Sequence, residues 1–233
     1  MMETFSAFWQ FLKRPDLLHL QKPKNTILKD FLYLSLASFI FGALVTSIKS
    51  VLVKYKLIED YEFHFDLFEK GVFFALILAG IIAPLLEEYL FRYQLRKWKL
   101  AVYFMILLPG VIGASFIDSE NIKFVVYILF LILAIFVHVK TEKMSRKTIY
   151  SFWRKFYGIH FYCTAVLFGM AHLSNWKGMN LKNPFFIIFI LSQTFTGLCL
   201  GYIRVKYGIK YSILFHACFN TVLVLLASVS KLG

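Results

Sequence analysis

The chain has 233 residues, of which 59% are hydrophobic and 19% aromatic, with a mean hydropathy of +0.68. That composition argues against a soluble domain or a disordered chain, and several apolar stretches approach the roughly 20 residues a bilayer helix needs. The net charge of +13 invites a nucleic-acid partner, but its distribution fits a membrane instead, and no nucleic-acid partner is expected.

In chain order, Phe5–Arg14 reads as a short amphipathic helix on the cytoplasmic interface, within a polar N-terminal segment, 1–30. No apolar core followed by a small-residue cleavage site occurs there, so no cleavable signal peptide is expected. Seven spans follow, at about Phe31–Val53, Gly71–Leu90, Leu100–Ile117, Ile122–Val139, Phe156–Leu173, Pro184–Val205 and Tyr211–Val229. Pro109-Gly110 interrupts the third, which is tolerated where neighbouring groups satisfy the freed carbonyls. The connections fall into two sets: 18 of the 26 Lys and Arg lie on the side of the N-terminus. By the positive-inside rule that side is cytoplasmic and the C-terminus is outside. The acidic connection Leu57–Glu69 fits the outer side. Gly197 and Gly201 form a small-x-x-x-small pattern, expected to pack helices inside the bundle. Cys163, Cys199 and Cys218 have unrelated spacings within spans, and free, buried thiols are expected. The fold is therefore an all-α polytopic membrane helix bundle, about seven transmembrane helices plus an N-terminal interfacial helix, in one integral-membrane domain, 1–233. The compact length and lack of a targeting extension point to a bacterial inner membrane. Oligomeric state leaves no mark in the sequence.

Ionisable residues inside a bilayer are expensive and mark function by default. Glu87 and Glu88 close the second span. Arg92 lies four residues after Glu88, on one helical stripe with it, so those two can pair. Glu87 points about 100° away and lacks that partner. His172 ends the fifth span four residues after Phe168, and His216 and Asn220 share a face of the seventh. Amide hydrolysis needs a base for water, a group that steers or returns the proton, and donors for the oxyanion. Glu87 suits the base, His172 the proton carrier, and His216 with Asn220 the donors. Glu88 and Arg92 would fix the helix face. Glu87, His172 and His216 would also suit a divalent metal such as zinc, although the His-Glu-x-x-His signature is absent and Asn is a poor zinc ligand. The cofactor thus stays open between none and a divalent metal.

Glu-Glu-x-x-x-Arg, then Phe-x-x-x-His, then His-x-x-x-Asn, in order on membrane spans, resembles the CPBP family of CAAX proteases and bacteriocin-processing enzymes, also called Abi. The resemblance covers about Gly71–Val229 and carries over Glu87, Glu88, Arg92, Phe168, His172, His216 and Asn220. It implies an intramembrane endopeptidase that uses glutamate-activated water on a peptide or protein substrate. Here 85 positions separate Glu87 from His172, more than family members have. The surplus reads as a hairpin, about 100–139, inserted in the peptidase-like core, 71–229.

Depth sets a condition on that reading. Glu87, His216 and Asn220 come out in the cytoplasmic half of the bilayer, in a cavity expected to face the cytoplasm. His172 comes out too far away if its span begins at Phe156. The mismatch shrinks to some 10 Å or less if the aromatic stretch up to Tyr162 stays at the interface. Two other functions share these residues. One is a non-catalytic peptide-binding or bacteriocin-immunity membrane protein. The other is a proton-coupled transporter with Glu87, His172 and His216 as its relay, against which stands the lack of an inverted repeat of broken helices.

Overall fold

A computed structural model describes residues 2–17, 26–62, 68–179 and 183–232, and all regular elements among them are helical. They are α1 (Met2–Lys13), α2 (Thr26–Lys54), α3 (Val72–Ile77), a π turn (Leu78–Ile82), α4 (Ala83–Phe91), α5 (Trp98–Ala114), α6 (Glu120–Glu142), α7 (Arg146–Ala171), α8 (Phe186–Tyr207) and α9 (Ile209–Leu232). Short 3-10 turns, Tyr93–Arg96 and His172–Asn175, follow α4 and α7. Without water in the bilayer core the backbone must bond to itself, which helices do within one segment. Among the described residues, six stretches are long and apolar enough to cross a membrane: Thr26–Lys54, Val72–Phe91, Glu120–Glu142, Arg146–Asn175, Phe186–Tyr207 and Ile209–Val229. The chain is an all-α polytopic membrane bundle.

The third expected span is the short one. Helix α5 has 17 residues, about 25 Å of rise, less than the hydrocarbon core. It keeps Pro109 in its interior and ends at Ala114, before the expected Ile117. Helices α5 and α6 pair antiparallel. Tyr103 meets His138 at 2.5 Å and Lys99 meets Glu142 at 2.6 Å. Further along, Gly110 lies so close to Phe130 that a Cβ would sit 2.6 Å from its ring. On α6 Ala134 is the buried residue, so nearly the whole helix presents apolar side chains outward, as a lipid-facing helix does.

Helix α8 is the centre, with every residue from Cys199 to Tyr207 buried. Gly197 and Gly201 let α7 approach it, Gly197 against Ala165 and Phe168, Gly201 against Phe161. The small-residue pattern therefore packs helices within the bundle. Gly208 alone joins α8 to α9, with a φ of 105° that L side chains rarely adopt. Helix α1 forms as expected, with Phe8 and Phe11 buried in protein, their rings 5.3 and 5.2 Å from that of Tyr202. Below it, Asp30 of α2 receives Lys206 Nζ at 2.7 Å, Tyr207 Oη at 2.8 Å and Thr4 Oγ1 at 2.8 Å. This buried network ties α1, α2 and α8 together at one end. The three cysteines are free, but only Cys199 is buried; Cys218 faces out of α9 and is exposed.

A Cβ on Gly201 would lie 2.7 Å from Phe161 Cε2, and that ring, packed 5.0 Å from Phe11, has little room to yield. Gly201→Val should cost about 1–3 kcal/mol and lower the thermal unfolding midpoint in detergent. Gly113→Ala, where a Cβ meets nothing within 4 Å, should not lower it.

Candidate active site

The second membrane stretch is not one uniform helix, and Pro84 is the reason. Proline lacks an N–H and its ring crowds the carbonyl four residues back. The backbone responds with one wide turn, in which Ala83 N–H donates to the Leu78 carbonyl, five residues back. In the same register the Ala79 carbonyl would need an N–H from residue 84, which proline does not have. Asn220 supplies it instead, with Nδ2 at 2.9 Å from Ala79 O. Single π turns inside α-helices are frequent at functional sites. Gly80 lets α9 come close here, since a Cβ would sit 2.8 Å from Thr221 Oγ1.

One turn further on, Glu88 and Arg92 are both fully buried. The Glu88 carboxylate accepts from His216 Nδ1 at 2.9 Å and from the Ser212 hydroxyl, and forms an ion pair with Arg92, whose Nη1 lies 3.3 Å away without a hydrogen bond. An ionised carboxylate only accepts, so His216 donates through Nδ1–H. The Arg92 guanidinium carbon lies 3.8 Å from the centre of the Phe168 ring, a cation–π contact worth more in a desolvated site. Phe168 thus covers the ion pair, and its ring is also 4.6 Å from His172 and 6.0 Å from His216.

Glu87, His172, His216 and Asn220 all line one cavity of about 690 Å³ between α2, the π turn, α4, α7, α8 and α9. Glu87 Oε2 lies 3.7 Å from His216 Nε2, beyond hydrogen-bond distance, and has no hydrogen-bond partner among the described residues. His172 donates Nδ1–H to the Phe168 carbonyl at 2.8 Å, which leaves Nε2 as its free nitrogen. His172 reaches this cavity because the start of α7 lies beyond the end of α4: His160 bonds Gln94, whereas Phe168 packs on Phe91 at 5.3 Å. The first turns of α7 are therefore not part of the depth count. The cavity lining runs from Ser38 to Thr46 on α2 and from His216 to Ala227 on α9. Both directions lead away from the end where Asp30 meets Lys206.

This geometry refines the roles read from the sequence. Neutral His216, with its Nδ1–H given to Glu88, presents a lone pair at Nε2 and not a donor; only its imidazolium form carries a second N–H. Asn220 has one N–H on Ala79 and one left. Both imidazoles keep Nε2 available, as metal-binding histidines do, yet no group of three His, Cys, Asp or Glu among the described residues is placed to hold a metal ion. The donor set does not fit a metal in this arrangement. Sequence reasoning missed Ser212, although it lies one helical turn before His216 on the same face. It also missed Ser192, Gln193 and Thr196, a polar group within apolar α8 that lines the cavity.

Buried acid, guanidinium, imidazole and amide side chains converging in a bundle of membrane helices define a polytopic membrane protein with a polar cavity inside the bundle. Residues 123–222 match the family described as type II CAAX prenyl endopeptidase Rce1-like. The match is consistent with the CPBP family of CAAX proteases, a family of membrane endopeptidases. It takes in Phe168, His172, His216 and Asn220 and begins after Glu87, Glu88 and Arg92; the contacts of Glu88 with Ser212 and His216 bring that first motif to the matched region. No curated protein and no solved structure matches the chain.

Removing one partner of a buried ion pair strands the other, at about 3–5 kcal/mol. Arg92→Ala should lower stability by that order in thermal unfolding in detergent. Glu87→Gln, which leaves the Glu88 partner of Arg92 in place, should unfold within a few degrees of the parent protein.

Proposed function

We propose that the protein is an intramembrane endopeptidase that hydrolyses a peptide bond with water activated by Glu87. The observation that carries this is the inequality of the two glutamates. Glu88 is saturated by Arg92, Ser212 and His216, whereas Glu87 Oε2 is unpartnered beside the free Nε2 of His216 in a cavity large enough for an extended peptide. In the reaction the Glu87 carboxylate takes a proton from water, and the oxygen attacks the scissile carbonyl. The second N–H of Asn220 donates to the oxyanion, and an N–H at His216 Nε2 joins it when that ring is protonated. The C–N bond then breaks as the amine leaves with a proton returned by way of His172. Glu88 and Arg92 act through His216 and touch no substrate.

The Lys and Arg distribution assigns the end holding Asp30, Arg92 and Lys206 to the cytoplasm. On that sidedness the reacting groups lie in the cytoplasmic half of the bilayer. The cavity's extension along α2 and α9 toward the opposite end argues that substrate also reaches it from there, so that a cytoplasm-facing cavity describes the depth of the chemistry and not the whole path. The substrate class follows from shape alone: a short extended segment of a peptide or membrane-protein tail.

The test is incubation of the purified protein and its Glu87→Gln form with a peptide library, read by mass spectrometry. Fragments from the parent protein should fall at least about 100-fold in the variant. Equal cleavage by both overturns Glu87 as the base, and binding without any cleavage by the parent favours a peptide-binding role. In a form with Cys163, Cys199 and Cys218 replaced by alanine, a Thr46→Cys thiol should react with an impermeant maleimide added from outside the cell.

A further inference from the structure

A second cavity, of about 670 Å³, lies away from the glutamates, between the end of α1 and the start of α7. Five cations line it, Lys13, Arg14, Lys147, Arg154 and Lys155, against one acid, Asp16. Asp16 lies 3.6 Å from Arg154, both side chains being partly exposed, and one carboxylate against five cations leaves most of the positive charge uncompensated. Its walls are held in place. The Tyr162 hydroxyl bonds the Leu12 carbonyl, and Pro15 lies over Gly158, its Cδ 3.6 Å from where a Cβ there would sit, which places the Lys13–Asp16 segment against α7.

The groove also has a defined depth. Helix α7 and its terminal turn span 30 residues, Arg146–Asn175, about 45 Å of rise against a hydrocarbon core of roughly 30 Å. Some ten residues must project, and these are the first ones, since α7 reaches the level of Phe91 only at Phe168. Lys147, Arg154 and Lys155 therefore stand at the polar boundary of the bilayer. Beside them an exposed apolar stripe begins and runs into the membrane: Phe152, Phe156, Ile159, Tyr162 and Val166. Their spacing keeps them on one face of α7 over about 21 Å.

We propose that this groove binds an anionic phospholipid, its phosphate held by the Lys147, Arg154, Lys155 and Lys13–Arg14 cations and an acyl chain lying along the Phe152–Val166 stripe. Charge complementarity selects a phosphate-bearing head group, and basic clusters at a membrane surface attract acidic lipids. The stripe distinguishes a lipid from free phosphate, which would use the cations alone. The proposal is independent of the peptidase reading, because no residue of the groove lines the cavity of Glu87.

The purified full chain, exchanged into detergent with equal amounts of phosphatidylglycerol and phosphatidylcholine, is analysed by native mass spectrometry for retained lipid. We expect about tenfold preference for phosphatidylglycerol, abolished in the Lys147→Glu, Arg154→Glu, Lys155→Glu form and kept in a charge-matched Lys54→Glu, Lys56→Glu, Lys70→Glu form. Millimolar inorganic phosphate should not displace the lipid. Wild-type preference in the groove variant overturns the site, and displacement by phosphate overturns the lipid. Thermal unfolding confirms that the groove variant is folded; if charge reversal unfolds it, the three glutamine substitutions give the same comparison.

Discussion

The bundle depends on a charge that is never left alone. Glu88 and Arg92 carry opposite full charges with no solvent exposure, where an isolated ion would cost many kcal/mol. What makes this tolerable is the number of groups around the carboxylate: Arg92 from its own helix, Ser212 and His216 from α9, with the Phe168 ring closing over the guanidinium. Three helices meet at that point, and none can shift without stranding a charge. The same set of contacts orients His216, so the group that holds the structure together also decides which imidazole nitrogen faces Glu87.

The π turn does comparable work on the other side of the cavity. Pro84 removes one backbone donor, the ladder shifts by a residue, and the carbonyl of Ala79 is left for a side chain. Asn220 is therefore held by the backbone of the helix that bears Glu87. A mechanical link follows: any motion of the 78–82 turn that displaces Glu87 also moves the Asn220 amide bonded to Ala79.

The spans were legible because twenty apolar residues between basic connections have few other readings, and the Glu88–Arg92 pair was legible because four residues make one helical turn. The shared cavity of Glu87, His172, His216 and Asn220 rests on motif spacing that the structure brings to one place, although the first two motifs are 85 positions apart. What sequence could not supply was register. Pro84 signalled a disturbance but not which carbonyl would be freed, and the donor roles of His216 depended on a contact with Glu88 across 128 positions. The depth of His172 was ambiguous for the same reason, because amphipathic α7 continues past the bilayer without a change in pattern to mark where the membrane begins. Cys218 was misjudged because a span has a lipid-facing side as well as a buried one.

The Asp30 network has a consequence in time. Its carboxylate is made early, near the start of the first span, and its partner Lys206 lies 176 residues later. At about 5–20 residues per second, Asp30 waits roughly 10–35 s of translation before α8 exists to neutralise it. During that interval the first span carries an unmatched acid and α1 lacks the Tyr202 surface it docks on. Closure of the bundle around Asp30 thus waits for α8, and a chain that stops before it leaves that carboxylate without Lys206 and Tyr207.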